Sequence, residues 1–181
     1  MRFATSTVLL VTVMALVSCS EGNKKGEANE PEVKTVETKF EHIQGSIDAN
    51  FNDEKLTAIF TEYIGLKTAL VNTDPKLASD AASKLMTAFA NKGVDEISMK
   101  LAQKIVDAED VEAQRSAFVG VTNAVEALLK DALDSGKVYK QYCPMAFKNT
   151  GAYWLSESKE IANPYFGDKM YRCGRIDSII E

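Results

Sequence analysis

Between Leu56 and Leu133 apolar residues return at three- and four-residue steps, and that period commits most of the chain to helices. Leu56, Ile59, Phe60, Tyr63, Ile64 and Leu70 form the first stripe, behind an N-cap at Asn52 or Asp53. Thr73-Asp74-Pro75 opens a second helix with proline at its first position. Leu77, Ala81, Leu85, Ala88 and Phe89 continue it, and Gly93 offers a left-handed exit. A third helix runs from about Asp95 to Asp107, with Ile97, Leu101 and Ile105 on one face. The fourth, about Glu109 to Ser135, turns Phe118, Val121, Val125, Leu128, Ala132 and Leu133 inward and stops at Gly136. Each stripe needs a partner, and short connections favour antiparallel neighbours. The expected fold is mainly α, a small antiparallel helical bundle.

After Gly136 the texture changes. Val138 to Cys143 is β-branched and aromatic, Asn149-Thr150-Gly151 is a turn signal, and Tyr153-Trp154-Leu155 reads as a returning strand. Eight of the 15 aromatic residues fall between Tyr139 and Tyr171. Residues 137–175 carry seven basic and three acidic groups, whereas 53–135 carry nine basic and 14 acidic. Both shifts predict an aromatic-rich, basic flap at about 137–181, containing a short β-hairpin and docked on an acidic bundle.

The N-terminal end follows other rules. Arg2 and the apolar run Val8 to Val17 have the make-up of a signal peptide, and the run is too short for a spanning helix of about 20 residues. Leu16-Val17-Ser18-Cys19 resembles the lipobox of bacterial lipoproteins, which implies cleavage before Cys19 and lipid on that residue. Two or more acyl chains hold firmly where one is marginal. The expectation is a lipid-anchored protein of the cell envelope, facing the periplasm or the cell surface. Its signal peptide would be 1–18, its tether and lead-in 19–50, and its domain 51–181. Ser20 to about Lys39 is rich in Glu, Lys, Gly and Asn and lacks apolar periodicity, as a tether does. Phe40 to Phe51 is ambiguous. Removing 18 of 181 residues leaves 163 and takes one positive charge, so the net charge moves from −5 to −6. That mild acidity, without a basic stripe, argues against nucleic acid.

Two sulfur-bearing stretches carry the most chemical information: Cys143-Pro144-Met145 and Met170-Tyr171-Arg172-Cys173. Thiolate and thioether are soft donors that select Cu(I) and similar ions over oxygen-loving cations. Residues two apart in an extended segment share a side, which would align Cys143 with Met145. Residues three apart in a helical turn are neighbours, which would join Met170 to Cys173. Lys140, Arg172 and Arg175 could favour the thiolates. The competing expectation is a Cys143–Cys173 disulfide, natural in an oxidising envelope and worth roughly 3 kcal/mol. Methionine as core filler competes as well.

Other chemistries find little support. His42 is the only histidine, which excludes a His-rich zinc site, and it reads as a solvated polar residue. No phosphate-cradling glycine motif occurs, and no nucleophile–base arrangement can be named, so an enzyme is not expected.

The strings Tyr142-Cys143-Pro144-Met145-Ala146, Gly151-Ala152-Tyr153-Trp154-Leu155-Ser156, Asn163-Pro164-Tyr165-Phe166-Gly167 and Met170 with Cys173-Gly174 resemble the bacterial family called domain of unknown function 3347. The likeness runs from about Phe51 onward and includes Val111-Glu112-Ala113-Gln114-Arg115. Members look like exported helical domains, some beside or fused to periplasmic adaptors of heavy-metal efflux systems. The Cys-Pro-Met core is also similar to the Cys-Pro-Met-His core of small metal-binding domains on such adaptors, with Ala146 here in place of the histidine. The resemblance therefore implies a soft-metal context. Cys143, Met145, Met170 and Cys173 would hold Cu(I) or Ag(I), with an efflux adaptor as partner. The alternative is a disulfide-stapled interaction module that binds no metal.

Overall fold

Asp53 starts the first helix by accepting the Lys55 amide on its carboxylate at 2.8 Å, and the apolar stripe behind it becomes the spine of the core. The computed structural model describes residues 40–181. Among them α1 spans Glu54–Val71, α2 Pro75–Lys92, α3 Glu96–Val106 and α4 Val111–Leu129. Asp53, Asp74, Asp95 and Asp110 each accept backbone amides at a helix start. Helix α2 leaves through Gly93 at φ 79°, the left-handed exit that glycine supplies without strain. Connectors of three or four residues make consecutive helices neighbours, and α4 closes back on α1.

All six residues of the first stripe are buried, as are Phe118, Val121 and Val125 of the last helix. In the middle helices Leu85, Ala88, Phe89 and Ile105 are buried as expected, but the first residue of each stripe is not. Leu77 is 52% exposed and Ile97 73%, while Ala78, Ala82, Leu85 and Phe89 of α2 and Ala102 and Ile105 of α3 face inward. Small alanines at the crossings let these helices approach closely, and the larger residues one step away are left outside. Residues 132–135 are also not helical. The chain turns at Lys130 and Asp131, where φ reaches 57°, and β2 (Leu133–Ser135) pairs antiparallel with β1 (Asn50–Phe51).

The C-terminal region contains the expected hairpin and adds a third strand to it. β3 (Val138–Cys143) is central, with β4 (Ala152–Ser156) on one side and β5 (Arg175–Ile180) on the other, both antiparallel to it. β5 was not expected, because Arg175-Ile176-Asp177-Ser178 offers no clean alternation and the strand is exposed along most of its length. The sheet docks on the bundle through Trp154 and Leu155, both wholly buried, and the Leu155 amide donates to the Tyr63 hydroxyl at 3.0 Å. Tyr63 also shares a hydrogen bond with Thr122 of α4, so one phenol ties two helices to the sheet. Lys140 meets Glu126 at 2.6 Å, one ion pair of the basic-on-acidic kind that the charge split suggests. No helix among the described residues is long and apolar enough to cross a membrane. The signal-peptide, lipobox and tether readings, including Cys19, lie outside the described residues.

Candidate functional site

Strand pairing brings the two cysteines together. Tyr142 of β3 is opposite Arg175 of β5, so the residue ending β3 lies beside the chain entering β5. Cys143 ends β3, and Cys173 precedes β5 by one residue, Gly174. Their sulfurs are 3.0 Å apart, as free thiols. Cys143 is wholly buried and Cys173 partly so. Gly174 permits the approach: a Cβ there would stand 2.8 Å from the Trp154 ring.

The 3.0 Å separation lies between two chemical end states. A disulfide requires about 2.05 Å, roughly 1 Å closer. Two thiolates sharing a tetrahedral ion through bonds of about 2.3 Å stand on the order of 4 Å apart, roughly 1 Å wider. A small movement of one cysteine reaches either. Burial first, then the adjoining Cys143, push the Cys173 thiol up to about 11. The three cations expected to favour thiolate are engaged elsewhere. Lys140 pairs with Glu126 and lies over the Tyr153 ring, Arg172 lies over Tyr171 and meets Glu160, and Arg175 lies over Tyr142.

The methionines are placed differently. The Cys173 amide donates to the Met170 carbonyl at 2.9 Å, so the expected three-residue turn forms and Met170 is partly buried within it. Met145 follows the end of the strand, in a turn with φ −89° and ψ −11°, and is 46% exposed. Cys143 and Met145 therefore do not share an extended segment; Pro144 and the turn intervene. Phe147, Lys148 and Asn149 come next, all with positive φ between 50° and 69°, a costly run for residues with side chains. Among the described residues no group of three or more His, Cys, Asp or Glu could hold a metal ion. Any ion held here would rely on sulfur, the soft donor type.

Two organisers escape sequence reasoning except as letters in a string. Asn163, wholly buried, donates its amide to the Cys173 carbonyl at 2.6 Å and accepts the Tyr165 amide at 2.8 Å. Its backbone N–H donates to the Tyr171 carbonyl at 3.0 Å. One side chain thus fixes the turn that presents Cys173. Asn followed by Pro is a turn initiator, and that was the available signal. The other organiser is Arg115, whose guanidinium donates to the Pro164 carbonyl at 2.9 Å from within the bundle.

Fold and site together define a class: a helical bundle carrying a three-stranded sheet with a partly buried dithiol at one end. The family model described as "Protein of unknown function (DUF3347)" matches residues 59–136, and over that stretch the resemblance read from the sequence is borne out. The matched residues are the helices and β2; the strings around Cys143 and Cys173 lie beyond them. No curated protein and no solved structure matches.

Proposed function

We propose that this chain is a lipid-anchored envelope protein that binds one thiophilic ion, Cu(I) or Ag(I), to buffer it or pass it to an efflux adaptor. Cys143 and Cys173 are the primary donors, Met170 sits in the same turn as Cys173, and Met145 lies on the solvent side. One observation carries the reading. Two thiols 30 positions apart in sequence are held 3.0 Å from each other, so a shift of about 1 Å makes them a chelating pair. Lipid on Cys19 would keep the domain at the membrane surface.

A second reading rests on the raised Cys173 thiol and the buried Cys143. A wholly buried Cys143 beside a Cys173 thiol that resists ionisation suits a structural disulfide, and the domain would then be a stapled interaction module. Titrating the reduced protein with Ag(I) under anaerobic conditions, against a chromophoric competitor and with thiols counted alongside, separates the two. The expected result is one ion per chain and at least a 100-fold loss of affinity in Cys143→Ser. Equal affinity in the variant ends the metal reading. Intact mass of membrane-extracted protein tests the anchor, which requires a chain starting at Cys19 with acyl groups attached.

A further inference from the structure

From Phe40 to Ala49 the chain has no regular secondary structure, yet it lies against the domain. Side chains hold it. The His42 amide donates to the Asn72 carboxamide oxygen at 2.6 Å, and the Asn72 NH2 donates back to the His42 carbonyl at 3.0 Å. The Gly45 amide donates to Glu157 at 3.3 Å. His42 Nδ1 and the Tyr171 hydroxyl are 2.9 Å apart, and Phe40 sets its ring edge-on to Tyr171. Glu157, which receives the Gly45 amide, forms an ion pair with Lys67 in which both side chains are only 1% exposed.

We infer that Phe40–Asp48 is a strap released by acid, with His42 as the group that takes the proton. The neutral imidazole that fits this site carries its proton on Nδ1 and donates it to the Tyr171 hydroxyl oxygen, which leaves the buried, unpartnered Nε2 as a bare lone pair. A protonated ring must donate from both nitrogens, and Nε2 would then bury an N–H with no acceptor. The surrounding charges pull both ways, the cations Lys67 and Arg172 against the proton and the carboxylates Glu157 and Glu160 for it. Lys67 faces the ring from α1 and Arg172 from the turn beside Tyr171; Glu157 and Glu160 face it from the loop after β4. Both carboxylates already serve other cations, Glu157 with Lys67 and Glu160 with Arg172.

Burial, then the Lys67 charge, hold His42 below the usual histidine value. A depressed histidine favours the strapped state while neutral. That contribution is complete above about pH 6.5, the ordinary histidine value, and is lost as pH falls below it. Release frees nine residues, which at about 3.4 Å each add a reach of about 30 Å on the N-terminal side. It also uncovers Tyr171, two residues from Cys173.

Hydrogen exchange of the reduced full chain at pH 7.5 and 5.5, corrected for intrinsic exchange, tests the strap without any metal. Wild type should lose several-fold protection at the His42 and Gly45 amides at the lower pH, up to the ceiling of about ten-fold that one proton sets between these pH values, while α1 and α4 keep theirs. His42→Asn, which cannot titrate, should show the same strap protection at both pH values. Tyr171→Phe removes the phenol that holds the neutral ring and should move the release midpoint to higher pH. Unchanged wild-type protection, or the same acid loss in His42→Asn, overturns the inference. If His42→Asn fails to fold, as Trp154 fluorescence would reveal, an unmoved midpoint in Tyr171→Phe overturns it instead.

Discussion

Replacing Arg115 by leucine should lower unfolding stability by about 3 kcal/mol, and the melting temperature of this domain by about 10 °C. The guanidinium is 1% exposed and spends its donors on three segments. Nε donates to the Pro164 carbonyl at 2.9 Å, and Nη2 donates to the Leu70 carbonyl at 3.1 Å and the Thr73 hydroxyl at 3.0 Å. Nη1 reaches Glu112, itself mostly exposed, at 2.6 Å. Leucine restores apolar volume but leaves the Pro164 carbonyl and the Thr73 hydroxyl without this donor; each buried orphan costs about 1–3 kcal/mol. Arg115→Lys keeps the charge on a point donor that cannot span the three acceptors, so roughly half the loss should remain. Chemical denaturation of the three proteins measures it. A leucine variant within 0.5 kcal/mol of wild type, the order of an ordinary surface change, would remove Arg115 as the central tie.

That tie explains why two distant strings belong together. Arg115 closes Val111-Glu112-Ala113-Gln114-Arg115, and its Nε holds the carbonyl within Asn163-Pro164-Tyr165-Phe166-Gly167. Gly167, at φ 59°, lets the loop close: a Cβ would stand 2.7 Å from Nη2 and 2.3 Å from the Thr73 hydroxyl oxygen. From the same loop Asn163 reaches the Cys173 carbonyl. The chain of contacts therefore runs from the start of α4, through one loop, to the partly buried thiol. Stability lost at Arg115 should loosen the sulfur pair before it unfolds the bundle.

What the sequence reveals and what it conceals divide along physical lines. Helix starts were legible because an Asp or Thr-Asp-Pro cap is a local, covalently nearby event; Asp53, Asp74 and Asp95 cap as their neighbours suggest. Core faces were legible where bulky residues define the stripe, as in α1. In α2 and α3 the expected Leu85, Ala88, Phe89 and Ile105 are buried, but near each helix start alanine or serine makes the contact and Leu77 and Ile97 are left outside. The last turn of α4 was misread for a tertiary reason. Leu133 continues the helical period, but β1 is there to pair with it, and strand pairing wins. Sulfur chemistry alone suggests the pairing of Cys143 with Cys173, because β5, which delivers Cys173, has no local signal in the sequence. His42 looked solvated because nothing local announces Tyr171, 129 residues away.

Removing one member of the buried Lys67–Glu157 pair should cost about 3–5 kcal/mol, whereas Lys67→Met with Glu157→Leu together should be close to neutral. The Lys67 ammonium is 2.5 Å from the Glu157 carboxylate and 3.3 Å from the Ser156 hydroxyl, shut away from water. Burial lowers the Lys67 pKa. Burial alone would raise that of Glu157. The Lys67 charge and hydrogen bond and the Gly45 amide outweigh it and hold the carboxyl below its usual value. A depressed carboxyl contributes stability above its unfolded pKa of about 4.3 and loses it as pH falls through the folded value. Wild type should therefore weaken below about pH 4 through this group. In Lys67→Met the sign reverses. Glu157 loses its cation, burial raises its pKa, and the variant should be most stable in acid and weaken as pH rises through the carboxylate range. Urea midpoints at pH 3.5, 5 and 7 for wild type, both single variants and the double variant decide the matter. Parallel pH profiles for wild type and Lys67→Met would mean that the carboxylate never depended on this lysine.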